Sequence, residues 1–590
     1  MLAATDLLVL GEQMAPPPGF EVDAIVAATY SLELPMALAL PLSVIRQGRF
    51  AGETAESADR FATLEAIRRL AAQYRVFHDA TALLPTGNQR LLSLLHRVCI
   101  PVQVPSPDRR ITSFHPKFVL VRFRRERAPG RLRLLCMSRN LTGSAALDVT
   151  VVLDGDIEEG PTGDASSERL AHALRQLPAW SRHPDDDGTT AALVEDLGRT
   201  VEQTRWRVPA KFARMEIWPL GFGGHGADPV LPQEHESRTL VMSPFLDIGR
   251  IRALGRNGPE NVLISEQREI DALPATALAP FARRAFTMRE SAGGLHAKLF
   301  VHETVQRVRW VIGSANATTA AATRNAEMVV ELEGARRAYG IDLLLDDDVG
   351  VGRLLSAADT EGGGDDVDRS SPSEEAFRAL SGSTLEAIVE PDAGAGHTVT
   401  VRAQPPIPTE GPRVRVGFPG TAAAALMAPD AVMRGVPRAR LSRWLVVEVT
   451  ANGDAPHSRL LAVKLVGVDL DQVAEDAVTD LVADAADPLS FLRDALSGAT
   501  PEAVGLRFDD AGPPPEPESD SHGGPASASA TSTLLEPLLA KLEGDRGAVG
   551  DDTIAQDLAV FVETMKSRLP ADFLELWNIV HEARRAGGAG

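Results

Sequence analysis

Residues 295–303 read LHAKLFVHE and residues 308–316 read VRWVIGSAN, and these two stretches decide the fold. Short runs of apolar and β-branched side chains are typical of buried β-strands. His296 and Lys298 are two positions apart, so on a strand they point to the same face of the sheet. The sequence therefore predicts a sheet that presents an imidazole and an ammonium beside the polar turn ending at Asn316.

The same elements occur earlier in the chain, in the same order. Residues 114–123 read FHPKFVLVRF, which carries His115 and Lys117, and residues 131–142 read RLRLLCMSRNLT. In both halves an apolar run and a second strand candidate precede the histidine, and an acidic and apolar strand follows. Such self-similarity indicates a structural repeat. We predict two α/β repeats, residues 1–205 and 206–345.

The rest of the chain changes in character. Residues 346–379 are acidic and glycine-rich, as in a linker. Residues 380–508 contain short alternating segments that predict a small β-rich domain, with helical patterning from Leu470 to Ser497. Residues 509–532 predict a disordered linker, and residues 533–590 have the periodicity of a C-terminal helical module.

Composition narrows the class of protein. The 590 residues are 44% hydrophobic with a mean hydropathy of −0.06, which fits a globular protein without a membrane span. The N-terminus lacks the basic region of a signal peptide, and Cys99 and Cys136 lie in apolar contexts, so we expect a cytoplasmic protein with buried free thiols. No CxxC or HExxH pattern occurs, and we expect neither a metal nor another cofactor.

Positive charge is concentrated around the two histidine segments, although the net charge is −21. Ten Lys and Arg residues lie between Arg109 and Asn140 with one acid among them, and seven lie between Arg283 and Arg324. Windows of this kind suit a polyanion such as DNA. The candidate nucleic-acid-binding residues are Arg109, Arg110, Arg122, Arg124, Arg125, Arg139 and Arg324.

The residue types also suit the chemistry of a phosphodiester. An imidazole can attack phosphorus, and an ammonium can neutralise charge on the non-bridging oxygens. The Ser and Asn of each polar turn can donate to those oxygens, and Asp148 and Glu327 can accept a histidine Nδ1 proton and so fix the tautomer. The candidate catalytic residues are His115, Lys117, Ser138, Asn140, Asp148, His296, Lys298, Ser314, Asn316 and Glu327.

Residues HAK (296–298), GSAN (313–316) and NAE (325–327) resemble the HxK, GSxN and NxE motifs of the phospholipase D superfamily. The first copy, HPK, SRNLT and LD, is similar to the variant found in the tyrosyl-DNA phosphodiesterase branch and in related bacterial nuclease-like proteins. The resemblance implies two phospholipase-D-like repeats packed as a pseudo-dimer around one metal-independent site. It also implies that His115 is the nucleophile, which forms a phosphohistidine, and that His296 is the acid and base.

Both copies depart from the full family motif HxKxxxxD. Arg122 and Glu303 occupy the Asp position, Met137 occupies the Gly position of the first copy, and Asp148 stands where Glu is usual. Loss of that Asp is typical of the tyrosyl-DNA phosphodiesterase branch, which points away from lipid hydrolysis. For Glu303 we expect a structural role.

The sequence thus predicts a DNA nuclease, and the resemblance suggests a phage-defence or restriction component. Such proteins work beside a helicase or ATPase, which would be a separate partner because this chain has no Walker A motif. Three alternatives stay open: a repair enzyme that removes protein–DNA adducts, a phospholipase, and a non-catalytic nucleic-acid-binding or scaffold subunit. Single- and double-stranded DNA stay open as substrates, and so does assembly as a homo-oligomer.

Overall fold

The computed structural model describes most of the chain up to residue 477. The described residues are 10–33, 36–37, 73–85, 92, 95–105, 112–126, 128–143, 146–183, 187–223, 227–258, 260–290, 293–360, 376–377, 380, 382–392, 396–406, 412–421, 425–426, 430–450, 457–470, 472–474, 476–477, 562, 574 and 577–578. The predicted linker at 509–532 lies outside them, as do most of the predicted helical segment from Leu470 to Ser497 and nearly all of the predicted C-terminal module.

The strands are β1 (Glu21–Thr29), β2 (Leu32–Glu33), β3 (Tyr74–Asp79), β4 (Leu83–Leu84), β5 (Cys99–Val102), β6 (Phe118–Arg125), β7 (Ala128–Met137), β8 (Thr150–Ile157), β9 (Thr204–Trp206), β10 (Phe212–Leu220), β11 (Arg238–Met242), β12 (Val262–Ile264), β13 (Ala285–Met288), β14 (Leu299–Glu303), β15 (Arg307–Gly313), β16 (Glu327–Ala335), β17 (Leu355–Ala357), β18 (Thr384–Pro391), β19 (His397–Gln404), β20 (Arg413–Gly417), β21 (Ala425–Leu426), β22 (Ala431–Val436), β23 (Trp444–Thr450), β24 (His457–Ala462) and β25 (Lys464–Val466).

The α-helices are α1 (Leu10–Gln13), α2 (Ala165–Gln176), α3 (Thr189–Glu202), α4 (Ile248–Leu254), α5 (Gln267–Asp271), α6 (Ala275–Leu278), α7 (Thr319–Thr323), α8 (Arg336–Tyr339) and α9 (Ile341–Leu344). Short 3-10 turns cover Pro178–Trp180, Gly255–Asn257, Gly352–Leu354 and Arg438–Arg440. Helices and several sheets in one chain give the mixed α/β architecture that the sequence predicts.

Strand order and direction repeat in the two largest sheets. The first runs β5-β3-β1-β6-β7-β8-β9, and the second contains β13-β12-β11-β14-β15-β16 in the equivalent order. In both, the first three strands of that order are parallel and the following pairs are antiparallel. The second sheet extends past residue 345, because β17 pairs with β13.

The histidine strands are buried on both faces, which explains why their sequences do not alternate with polar residues. On β6, Phe118 and Leu120 join a core that also contains Leu299 and Val301 of β14. The intervening Val119 belongs to a different core on the opposite face of the first sheet. One side of each large sheet therefore contributes to a core that the two repeats share.

The later strands pack against the first repeat. Strands β22, β19, β18 and β25 form one sheet, and β24, β23, β20 and β21 form another that also takes in β2 and β4. Leu83 pairs with Leu460, and Trp444 is buried among apolar residues of the first repeat. Cys99 and Cys136 are both buried and free, as predicted. Among the described residues, no helix has the length and apolar character needed to cross a membrane.

Candidate active site

Both histidines lie in extended segments just ahead of the strands on which the sequence predicts them. Strand β6 begins at Phe118 and β14 begins at Leu299, and ahead of each strand the histidine N–H bonds to the opposite repeat. The His115 N–H donates to the Ala326 carbonyl (2.9 Å), and the His296 N–H donates to the Leu147 carbonyl (2.8 Å).

The two repeats are therefore interlocked by four backbone hydrogen bonds. The return bonds run from the Ala326 N–H to the Ser113 carbonyl and from the Leu147 N–H to the Gly294 carbonyl, both 3.0 Å. The His115 segment thus lies beside Ala326, which precedes Glu327, and the His296 segment lies beside Leu147, which precedes Asp148. This brings Glu327 to His115.

Glu327 holds the His115 ring. The His115 Nδ1–H donates to Glu327 Oε2 (2.8 Å), and that buried carboxylate also accepts from Ser314 Oγ (2.5 Å) and Asn325 Nδ2 (3.2 Å). With the proton on Nδ1, Nε2 carries a lone pair, and it lies 2.9 Å from Lys117 Nζ. Burial lowers the pKa of His115 to about 4, although the negative charge of Glu327 raises it. The ring is therefore neutral at neutral pH.

His296 has a different partner. Its Nδ1 lies 3.0 Å from the Ser138 carbonyl, to which Nδ1–H can donate. Asp148, the predicted carboxylate partner, instead lies 3.7 Å from Arg139 Nε. Burial lowers the pKa of His296 to about 3, and Lys298 and Lys117 lower it further. The two half-sites are not equivalent, since a carboxylate orients one ring and a carbonyl the other.

The two lysines share this site with both histidines. Lys117 and Lys298 are 0% and 1% exposed, and each ammonium also donates to the backbone carbonyl of its own histidine (3.0 and 2.8 Å). Burial lowers the pKa of Lys298 to about 7, and it lowers that of Lys117 well below its ordinary value, with the Lys298 charge adding to the effect. The Lys298 charge lowers the Lys117 pKa, and two buried ammonium groups this close make a site that an anion stabilises.

The side chains of the predicted serines bond to the protein backbone. Ser138 and Ser314 are fully buried, and their hydroxyls accept from the backbone N–H of Val149 and Met328, both at 2.9 Å. These bonds join each polar turn to the strand that follows it. The serines thus fix the position of the turns. The sequence pattern alone does not distinguish this role from contact with substrate.

The predicted asparagines retain unused hydrogen-bonding capacity. The Oδ1 atoms of Asn140 and Asn316 are buried and have no hydrogen-bond partner among the described residues. A side-chain amide can rotate to present either its oxygen or its NH₂ group. Both asparagines therefore suit a ligand that supplies the missing bond.

Two carboxylates that the sequence analysis missed anchor the histidine segments. Asp79 Oδ2 accepts from the Phe114 N–H (2.9 Å), and Glu266 Oε1 accepts from the Leu295 N–H (2.8 Å). In each repeat the bonded N–H belongs to the residue just before the histidine. An acidic residue at the end of β3, in VFHD, and just after β12, in LISE, was the available signal.

Two hydroxyl side chains, also missed, anchor the asparagine turns. Thr29 Oγ1 accepts from the Leu141 N–H (3.0 Å), and Ser243 Oγ accepts from the Ala317 N–H (2.9 Å). Both hydroxyls come at the end of the first strand of their repeat, where a polar residue follows an apolar run. Next to Thr29, the ring of Tyr30 lies 5.3 Å from the ring of His115.

The predicted DNA-contacting arginines are spread widely. Arg122 is engaged inside the protein by Asp23 (2.6 Å) and Asp196 (2.5 Å). Arg124 and Arg125 lie at the far end of β6, roughly 30 Å along the strand from His115 at about 3.3 Å per residue. The two that lie in the segments next to the site are Arg139 and Arg324. Arg109 and Arg110 are outside the described residues.

Comparison with known proteins gives distant structural matches. No protein family and no curated protein matches the sequence. Similar solved structures include a mutant of yeast tyrosyl-DNA phosphodiesterase, with a TM-score of 0.36 and 10% identity over 57% of this chain and 87% of that chain. Another structure of the yeast protein has a TM-score of 0.33 and 12% identity over 57% and 87% of the two chains.

Proposed function

We propose that this chain is a phosphodiesterase of the phospholipase D type that cleaves DNA through a phosphohistidine on His115. The observation that carries the proposal is the convergence of two His–Lys pairs with buried lysines, one from each repeat, in which a carboxylate bonds to His115 and a backbone carbonyl bonds to His296. His115, with Nδ1–H bonded to Glu327, has its Nε2 lone pair available as a nucleophile. His296 is the acid and base.

The reaction proceeds in two balanced steps. Nε2 of His115 attacks phosphorus, the P–N bond forms as the P–O bond to the leaving group breaks, and His296 gives its proton to the leaving oxygen. His296 then takes a proton from water, whose oxygen attacks phosphorus and breaks the P–N bond. The bound phosphate raises the pKa of His296 from its value in the empty site, because an anion favours the protonated ring.

The lysines provide the positive charge in this scheme. Lys117 moves from His115 Nε2 to a non-bridging oxygen when substrate enters, and Lys298 binds the other. Ammonium groups in these places perform the charge neutralisation that a metal ion performs in other phosphodiesterases, so the proposed reaction is metal-independent. The two repeats form a pseudo-dimer around the shared site.

DNA is the proposed substrate because basic side chains adjoin a site suited to a phosphodiester. Arg139 and Arg324 are placed to bind phosphates next to the scissile one. The proposed setting, a defence system with a helicase or ATPase partner, rests on the sequence resemblance alone. The later strands and C-terminal segment would serve assembly in that setting.

The test is cleavage of end-labelled single- and double-stranded DNA in excess EDTA. Wild type is compared with His115→Ala, His296→Ala and the control His235→Ala, whose side chain is exposed. We expect EDTA-resistant cutting that falls at least ~1000-fold in the first two variants and is unchanged in the control. Cutting that requires added metal, or that survives His115→Ala, would contradict the proposal.

A second candidate is a nucleic-acid-binding subunit without catalysis. The observation that favours it is the pairing of Asp148 with Arg139, so that among the described residues His296 bonds to the Ser138 carbonyl and to no carboxylate. In that case wild type binds DNA and cuts none of it, and His115→Ala binds as tightly as wild type.

A further inference from the structure

An aromatic side chain lies in the turn that follows the first strand of each histidine–lysine sheet. Tyr30 comes directly after β1, and Phe245 comes shortly after β11. The two turns are built alike. Thr29 Oγ1 donates to the Ser31 carbonyl at 2.8 Å. In the second repeat, Ser243 Oγ donates to the Phe245 carbonyl at the same distance. Both aromatic residues lie outside the candidate catalytic set.

The Tyr30 ring borders the proposed nucleophile. It is half-buried, and its centroid lies 5.3 Å from that of the His115 ring, with an angle of 51° between the planes. The Tyr30 carbonyl accepts from the Asp79 N–H (3.2 Å), and the Asp79 carboxylate anchors the His115 segment through the Phe114 N–H. Tyr30 is therefore fixed at the edge of the site by the residue that also positions the histidine segment.

Phe245 borders the site from the second repeat. The Ser243 hydroxyl that bonds to its carbonyl also accepts from the Ala317 N–H (2.9 Å), and Leu246 pairs with Ala317. Since Ala317 follows Asn316, the Phe245 turn is joined to the asparagine turn. Phe245 is 46% exposed, and the other large apolar side chains exposed in the described part of the chain are all valines. An exposed ring beside a phosphodiester site is suited to stacking on a base.

The reacting groups lie below the surface on which these two rings sit. Lys117 and Lys298 are 0% and 1% exposed, and the His115 side chain is 14% exposed. A phosphate must therefore enter the site to reach them, while its neighbouring nucleotides stay at the edge. A single strand can bend in this way, and its unpaired bases then present flat faces to aromatic side chains. In a duplex the bases stay paired and stacked, so those faces are hidden.

We propose that Tyr30 and Phe245 are specificity-determining residues that stack on the bases flanking the bound phosphate and so select unpaired DNA. This inference rests on the proposed function, and it narrows the substrate to single strands and unpaired segments. The stacking contacts are independent of sequence, because every base has a face that an aromatic ring can cover. The lysines and arginines contribute binding by charge, which single and double strands both satisfy.

The test is fluorescence anisotropy of the full-length chain in EDTA with three labelled ligands. They are an oligothymidylate of 12 nucleotides, its duplex with oligodeoxyadenylate, and a strand of 12 abasic tetrahydrofuran units, which has the same backbone charge and no bases. The parent protein carries His115→Gln, which removes the nucleophile. Binding is therefore measured without cleavage, and a failure of the proposed cleavage reaction leaves this measurement intact.

The variants add Tyr30→Ala, Tyr30→Phe or Phe245→Ala to the parent. Val305→Ala is the matched control, because Val305 is an apolar side chain that is 82% exposed in the turn between β14 and β15. That turn lies at the end of β14 away from Lys298. Thermal unfolding of each variant checks that it is folded.

We expect the parent to bind the oligothymidylate more tightly than the duplex. Tyr30→Ala and Phe245→Ala should each weaken oligothymidylate binding about tenfold and abasic-strand binding less than about twofold. Tyr30→Phe and Val305→Ala should leave both unchanged. Equal losses on the two single strands would assign the rings a structural role and overturn the proposal. Alanine variants that bind the oligothymidylate as the parent does, or a parent that binds no single strand, would overturn it as well.

Discussion

Glu327 connects the two repeats through a single side chain. It comes from the second repeat, accepts from His115 of the first, and is itself held by Ser314 and Asn325. A carboxylate fixed by three donors gives the imidazole one tautomer and one orientation. This arrangement makes the activity of the first half-site depend on a residue more than 200 positions away.

Glu327→Gln should reduce the rate of DNA cleavage by about 10³- to 10⁴-fold, as expected when the orienting carboxylate of a catalytic histidine becomes an amide. The measurement is single-turnover cleavage in EDTA. Glu333→Gln, on the same strand, is the control and should cut within about twofold of wild type. If Glu327→Gln kept a tenth of the wild-type rate, the orienting role of this carboxylate would be wrong.

Lys298 should set a pH dependence. Its pKa is lowered to about 7 by burial, so its charge is present below pH 7 and is lost as the pH rises through that value. We expect kcat/KM for DNA cleavage to fall with an apparent pKa near 7. Lys298→Arg keeps its charge throughout and should remove this fall, whatever its absolute rate. A fall of the same shape in the arginine variant would assign it to another group.

The sequence could predict the histidines, the lysines and Glu327 because a repeated motif identifies residue types. It could not predict which acid serves which histidine. That pairing depends on how the two repeats dock, and the bond between His115 and Ala326 that sets it joins distant segments. Asp148 pairs instead with Arg139 of its own repeat, which reaches it from within the polar turn.

At the scale of elements, the order of the strands was predictable and their starting points were not. Periodicity indicated a strand at each histidine motif, yet β6 and β14 begin after the lysines, and the histidine N–H groups bond to the other repeat. The glycine of the second polar turn indicated the local backbone geometry better than periodicity did. Gly313 has φ +155, and a Cβ there would meet the carbonyl oxygen of Met328 and the Cα of Val329.

Gly313→Ala should destabilise the second repeat by about 1–3 kcal/mol, because backbone atoms of β16 cannot move aside cheaply. Urea denaturation measures the change. Gly160→Ala is the matched control, since a Cβ at Gly160 has open space around it, and it should change the free energy of unfolding by less than ~0.5 kcal/mol. Equal effects of the two substitutions would show that β16 adapts.

At the scale of the whole molecule, both large sheets contribute to one core and enclose several neutral histidines. Burial lowers the pKa of His78 to about 4 and of His302 to about 3, alongside the two histidines of the site. Each is neutral in the folded chain but takes up a proton in the unfolded chain below about pH 6.5. The stability they confer is present above that pH and is lost as the pH falls toward 4 and 3.

His302→Gln should therefore lower stability at pH 7, and the gap from wild type should narrow by about 2 kcal/mol between pH 6.5 and pH 5. His302 is bonded to Thr239 and Val230 and has no place in the proposed reaction, so this effect concerns stability alone. Urea denaturation at the two pH values provides the comparison. His235→Gln, at an exposed position, is the control. If the difference in free energy of unfolding between wild type and His302→Gln were the same at both pH values, protonation of His302 would not contribute to the pH dependence of stability.

The sequence indicated the two repeats and the later β-rich segment. The packing of the later strands against the first repeat could not be predicted from the sequence, because single residues without a recognisable motif make these contacts. Leu83 pairs with Leu460, and Trp444 is buried in the core of the first repeat. Nothing in the spacing of these residues marks them as partners.

The most direct test of the composite phosphohistidine site is mass spectrometry of the protein trapped during DNA cleavage. In His296→Ala the breakdown of the intermediate is slowed, so we expect a DNA phosphate attached to His115 in EDTA, and no adduct in His115→Ala. An adduct on a different residue, or DNA cleaved by wild type without any trapped adduct under conditions that preserve phosphohistidine, would contradict the central claim.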